Sequence, residues 1–323
     1  PPPVHPFILE VGRGFGQVAF CPGLPSAALI FAGLCVGDPK VAVLAALGCT
    51  SATAAARLVS ADAAATTAGL YGYNGVLVGC AFSVLLTHNL GLLPAVGATA
   101  FGGLAAGLMS TRLGALVAPV PQLTLAFNAI ALSTLAVVRP LAACGGQEAV
   151  ASKHLLVAFD PLTWAEIALN GVAQIFVLNS AGAGALVLAG IALHSPLAAV
   201  ATLVGSVLGS VTAVMWGADA DEVEDGLWGY NSALTALATS VFLVPLGPAY
   251  AAVACLGAVA ASGATLALKL ALGSALKVPC LTLPFCAVAS CCVMLGGRVP
   301  GVVRAGAPHS PEVNLRRFHS GGT

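Results

Sequence analysis

Charge is what this sequence lacks. Only 7% of its 323 residues are Asp, Glu, Lys or Arg, twelve of each sign, so the formal net charge is zero. A soluble domain carries roughly 25% charged residues, and a water-facing surface cannot be built from less than a third of that. The basic footprint of a nucleic-acid binder is missing, as is the polar composition of a disordered chain. Thiol and metal signals are equally thin. The ten Cys include the neighbours Cys291 and Cys292 but no Cys-x-x-Cys pair, and most lie in apolar runs as small hydrophobes. No His-Glu or Cys-His cluster has ligand spacing, and no Ser-His-Asp set is placed by motif. An intramembrane enzyme is therefore disfavoured, and no metal or other cofactor is implied. Alternation with a period of two, the mark of outer-membrane strands, is absent too.

What is there is uncharged length. Five blocks without charge (63–111, 113–138, 167–218, 226–268 and 278–297) hold 190 residues, enough for roughly nine spans at ~20 residues each. Long Ala/Leu/Val runs punctuated by Gly argue for helices, which satisfy their own backbone in lipid. The 38 Gly suit close helix packing there. The chain opens at Pro1 without Met or a visible signal peptide, as expected of a processed chain or a fragment. The stretch around Arg139, Glu148, Lys153 and Asp160 is the longest internal polar segment and divides the apolar mass nearly in half. The expected organisation is a first membrane repeat over 7–140, a linker over 141–158, a second repeat over 159–298 and a solvated polar tail over 299–323.

Equal halves invite a search for repeats. Leu70-Tyr71-Gly72-Tyr73-Asn74 recurs as Leu227-Trp228-Gly229-Tyr230-Asn231, an offset of 157. The same offset relates Gln17 to Gln174, Gly33 to Gly190, Pro39 to Pro196 and Gly69 to Gly226. After one added residue, Leu123-Thr124-Leu125-Ala126-Phe127 matches Leu281-Thr282-Leu283-Pro284-Phe285. The chain is an internal duplication. Helices are expected near 24–36, 41–58, 75–87 and 91–110, and again near 181–193, 197–216, 232–246, 248–270 and 283–297. About five spans per half is an odd number, which would oppose the two copies across the bilayer. The Gly-x-Gly-Tyr-Asn and Pro-x-x-Thr turns are where helices should break.

These paired motifs resemble the urea transporter (urea channel) family. They include Pro-Gln-Leu-Thr-Leu-Ala-Phe-Asn at 121–128 and Pro-Cys-Leu-Thr-Leu-Pro-Phe-Cys at 279–286. Gly14-Phe15-Gly16-Gln17-Val18-Ala19-Phe20, Gly171-Val172-Ala173-Gln174-Ile175 and Pro311-Glu312-Val313-Asn314 are similar to further family motifs, so the likeness spans about 7–315. It departs at Ala126, where the family usually has Pro, and at Pro22, where an Asn is expected. The resemblance implies an all-α polytopic membrane protein of two inverted homologous repeats. Each has about five transmembrane helices plus a re-entrant half-helix, around a central pore. It further implies a homotrimer with one pore per protomer, passing urea passively across the plasma membrane.

Urea is planar, with amide donors on its edges and apolar-tolerant faces. Stripping its water without replacement costs several kcal/mol per polar group. A filter therefore needs a row of acceptors and flat apolar walls. Gln17, Gln174, Thr124 and Thr282 are the expected acceptors, together with carbonyls at the half-helix ends. Phe20, Phe127 and Phe285 are the expected walls. Tyr73, Tyr230, Asn74 and Asn231 are expected to pin the half-helix turns through their polar tips. Glu224, in the cluster Asp219, Asp221, Glu222, Glu224, Asp225, is read as a vestibule carboxylate holding a half-helix start, with a solvated loop as the alternative. Lys269 and Lys277 read as snorkelling, and His88 and His194 carry no assigned role. An ion-coupled transporter of the same fold would need an intramembrane carboxylate, which the repeat cores lack. A channel of the same fold for ammonia, short amides or water stands as the nearer alternative.

Overall fold

The computed structural model describes residues 4–142 and 160–321; the expected linker lies, apart from its first two residues, outside them. The first copy runs α1 (Pro6–Gln17), α2 (Leu24–Gly37), α3 (Pro39–Leu58), α4 (Ala63–Thr67), α5 (Tyr73–Leu90), α6 (Leu92–Val117) and α7 (Leu125–Ala142). The second runs α8 (Pro161–Ala173), a 3-10 turn (Gln174–Phe176), α9 (Ala181–His194), α10 (Pro196–Met215), α11 (Ala220–Glu224) and α12 (Tyr230–Phe242). It continues through β1 (Leu243–Val244), α13 (Gly247–Ala275), α14 (Leu283–Leu295), β2 (Val303–Arg304) and α15 (Pro311–His319). The chain forms two compact units, one per copy, except that Leu270–Leu281 belongs with the first.

It is an all-α polytopic membrane protein. Helices α3, α6, α10 and α13, of 20 to 29 residues, are long and apolar enough to cross a bilayer. The α8–α9 pair, bent by 76°, adds a fifth span if counted as one. Apolar helices α2 and α14 run only 14 and 13 residues, short of the ~20 a crossing needs.

Helix starts follow local chemistry. Helices α1, α2, α3, α8, α10, α14 and α15 carry Pro in the first turn, where its missing N–H costs nothing. Four of the twelve acids act as N-caps: Asp38, Asp62, Asp160 and Asp219 accept from backbone amides of α3, α4, α8 and α11. A side-chain oxygen there satisfies an orphan amide, so much of the scarce charge is structural.

In the first unit, α3 packs against both α5 and α6. A Cβ on Gly48 would overlap the Gly75 carbonyl, and one on Gly103 would lie 2.7 Å from the Gly48 carbonyl. The helices meet backbone to backbone. Gly48→Val is therefore expected to exceed the ~1–3 kcal/mol typical of overpacking, since backbone cannot step aside. Loss of the monodisperse species in size-exclusion chromatography would show it.

The segment expected as a solvated tail is built into the second unit instead. Its β2 pairs antiparallel with β1, Leu243 opposite Arg304 and Val244 opposite Val303. Ser310 caps α15, and buried Asn314 donates to the Val241 carbonyl at 2.7 Å. Glu312 accepts from the Ser195 hydroxyl at 2.7 Å and the Leu197 amide at 2.9 Å, clamping the start of α10. Partial burial opposes its ionisation, yet the Leu197 and Ser195 bonds hold the carboxyl below the usual carboxylate range. Stability from a depressed carboxylate is complete at neutral pH and is lost as pH falls through the folded pKa. The thermal-stability gap between wild type and Glu312→Gln should accordingly shrink as pH drops from about 7 to about 3. A gap that stays constant would remove the carboxylate from the clamp.

Candidate functional site

The Pro-x-x-Thr turns are strained in the same way in both copies. Six non-Gly residues have positive φ among those described, and four form duplicate pairs: Leu123 with Leu281 (45° and 47°), and Phe20 with Val177 (57° and 59°). Leu, Phe and Val avoid this region, so the surrounding structure must impose it, a pattern typical of functional sites.

What imposes it is visible at the half-helices. Asn74, fully buried in the first turn of α5, donates to Ser110 Oγ at 3.1 Å, and its Oδ1 accepts from the Phe127 amide at 3.1 Å. Asn231 in α12 repeats the construction, donating to Thr265 Oγ1 at 3.2 Å and accepting from the Phe285 amide at 3.3 Å. One amide side chain thus ties a long helix to the first turn of α7 or α14, where backbone N–H groups lack helical partners. The Tyr73 hydroxyl donates to the Leu123 carbonyl, inside the strained turn itself. Tyr230 opens α12 at the matching place. Ser110 and Thr265, which complete the ties, carry no motif in the sequence.

Thr124 and Thr282 sit at the starts of the half-helices, 3% and 4% exposed. Thr124 also receives Asn128 Nδ2, at 2.9 Å on its carbonyl and 3.4 Å on its hydroxyl. Cys286 takes that position in the second copy. Phe127 and Phe285 are each 1% exposed, within their own units. The departure at Ala126 leaves the turn unchanged: α7 starts at Leu125 as α14 starts at Leu283, and Pro284 lies in the first turn.

The Gln-containing motifs form a second paired construction. Gln17 Nε2 donates to the Ala68 carbonyl at 2.8 Å, and Gln174 Nε2 to the Asp225 carbonyl at 2.9 Å. The next residue in each case is a positive-φ glycine, Gly69 or Gly226, whose Cα lies against the backbone of α1 or α8. A side chain there would collide. Phe20 supplies the left-handed residue where the chain leaves α1, and the Cys21 amide closes onto the Gly16 carbonyl at 2.9 Å. In the first unit this corner borders a cavity of about 650 Å3 lined by Arg13, Pro22, Ala63, Ala64, Thr67 and Ala68. Arg13 spans it to the Thr67 carbonyl at 2.7 Å. In the second unit Asn170 replaces that arginine, donating to the Glu224 carbonyl at 2.9 Å, and Asn179 donates to Asp225 Oδ1 at 2.6 Å.

Glu224 is the last residue of α11 and exposed, and its carbonyl accepts from Asn170. Lys269 pairs with Glu222 and lies 5.4 Å from the Trp228 ring centroid.

The match to known proteins fits this picture. A model of the family described as "Urea transporter" covers residues 8–297. The chain belongs to the urea transporter family. The chain is 30% identical to "Urea transporter 1" of Rattus norvegicus over 318 residues, covering 94% of this chain and 80% of the relative. It is 29% identical to the proteins of that name from Mus musculus, over 94% and 80%, and Capra hircus, over 92% and 79%. Family membership makes it an integral membrane transport protein, and both paired constructions fall inside the matched residues.

Proposed function

We propose that this chain conducts urea passively across a membrane, without coupling to an ion gradient. The observation that carries the reading is the duplicated left-handed Leu–Thr turn at Leu123–Thr124 and Leu281–Thr282, held by Asn74 and Asn231. The break in each helix gathers backbone carbonyls and a threonine hydroxyl at one point, and an oxygen with two lone pairs can accept a further hydrogen bond. Those are the acceptors a solute carrying N–H groups needs when its water is removed. Thr124 and Thr282 supply hydroxyls, Phe127 and Phe285 flat walls, and the oxygens of Gln17 and Gln174 further acceptors beside their bracing nitrogens. The cavity at Arg13 and Thr67 serves as an antechamber. A homotrimer in the plasma membrane, each protomer conducting on its own, belongs to the same proposal.

The coupled alternative needs a titratable group in the membrane. The single buried carboxylate among the described residues, Glu10, is held by both arms of Arg57 at 2.8 Å. That carboxylate serves a structural ion pair between α1 and α3.

Thr282→Val removes the hydroxyl and keeps the shape. In proteoliposomes, Thr282→Val is expected to cut urea flux about tenfold or more, from about 1.4 kcal/mol of lost solute bonding, with the folded protein retained. Full flux would place the filter elsewhere. Competition by formamide and thiourea, against ammonia and water permeability, separates urea conduction from the nearer alternatives.

A further inference from the structure

The second unit holds an arginine-lined cavity that urea conduction does not use. It measures about 380 Å3 and is lined by Val244, Val303, Arg304, Asn314, Arg317 and Phe318, with residues 305–307. That volume lies in the range of small-molecule sites. Its charge is unusual for this chain. Of twelve Lys and Arg overall, Arg298, Arg304, Arg316 and Arg317 fall within 298–323, against one carboxylate, Glu312. Glu312 is engaged by Ser195 and Leu197, away from the cavity lining. Arg317 gives one N–H to the Ala307 carbonyl at 2.9 Å and forms no ion pair among the described residues. A guanidinium has five donors in a fixed fork, so most remain for a ligand. The lining contains no acid to repel an anion.

Position narrows the ligand. Strand β1 follows α12 directly, α13 begins at Gly247, and β2 follows the end of apolar α14 at Leu295 by eight residues. The cavity therefore lies past the C-terminal ends of apolar α12 and α14 and before α13, and in a membrane protein helix ends are where lipid phosphates are met. Val303 and Phe318, each half-buried, add an apolar wall. We propose that this cavity binds a phosphate group through Arg304 and Arg317, and that its source is the headgroup of an anionic lipid. Forked guanidinium–phosphate pairing supplies the affinity.

The test uses the full chain in detergent, with native mass spectrometry of retained phosphatidylglycerol and phosphatidylcholine. Wild type should retain phosphatidylglycerol about thirtyfold better, the equivalent of roughly one kcal/mol for each of the two arginines at an anionic surface. Arg304→Gln with Arg317→Gln should abolish the preference, whereas Arg112→Gln, an exposed arginine of α6, should leave it intact. Inorganic phosphate that binds wild type and not the double variant, with no lipid preference, would keep the site but overturn the lipid as its source. No preference together with no phosphate binding overturns the proposal, as does equal loss in Arg112→Gln. If the double variant does not fold, phenylglyoxal labelling of wild type decides: phosphatidylglycerol should shield Arg304 and Arg317, and unchanged labelling refutes the site.

Discussion

Arg57→Leu is expected to lower the denaturant midpoint of the protein clearly, because it leaves the buried carboxylate of Glu10 without its partner. The pair is asymmetric. The Glu10 side chain is 7% exposed and that of Arg57 38%, joined by two bonds of 2.8 Å. Removing the arginine strands a carboxylate that water cannot reach. It also removes the guanidinium lying 5.3 Å from the Phe7 ring centroid, a cation–π contact. Glu10→Leu leaves an arginine able to rehydrate and should cost clearly less. The double variant Glu10→Leu/Arg57→Leu should then be more stable than Arg57→Leu alone. Denaturant unfolding in detergent measures all three, and equal costs for the two single variants would refute this ordering.

The second large effect belongs to the asparagines. Asn74→Leu or Asn231→Leu deprives a half-helix amide, Phe127 or Phe285, of its acceptor and a buried hydroxyl, Ser110 or Thr265, of its donor. Each orphaned buried group costs about 1–3 kcal/mol, so Asn74→Leu costs about 2–6 kcal/mol and Asn231→Leu about 1–3 kcal/mol, since the Thr265 hydroxyl keeps its bond to the Ala261 carbonyl at 2.8 Å. The strained turn also loses its anchor, and urea flux should fall to the level of empty vesicles. Ser110→Ala and Thr265→Val cut only the outer bond and leave the Phe amides satisfied. Their expected loss is smaller and flux persists. Flux that survives Asn231→Leu would show that the tie does not shape the path.

Much of this was legible in the residues. The offset of 157 relates Asn74 to Asn231 and Gln17 to Gln174, and within each pair the structure repeats the kind of bond: a helix hydroxyl and a Phe amide for the asparagines, the carbonyl before a left-handed glycine for the glutamines. Pinning by the asparagines follows from the chemistry of a carboxamide beside a broken helix. The left-handed Leu123, Leu281, Phe20 and Val177 were not legible, because tertiary contacts alone hold these side chains in a conformation they avoid. The bracing by Gln17 and Gln174 was hidden for another reason. An amide can face a solute or a carbonyl, and only folding shows where the Ala68 and Asp225 carbonyls lie. The short α11, which starts at Ala220 and ends on Glu224, was not legible in the acidic cluster. The tail helix did carry its signal, a Ser310-Pro311 start before Glu312, masked by the polarity of the surrounding stretch.

Passive urea conduction is tested most directly in proteoliposomes holding the wild-type chain, with urea efflux followed by light scattering. The account predicts efflux well above that of empty vesicles, unchanged when proton and sodium gradients are collapsed. Efflux no faster than from empty vesicles, or efflux that falls with the gradients, would contradict it.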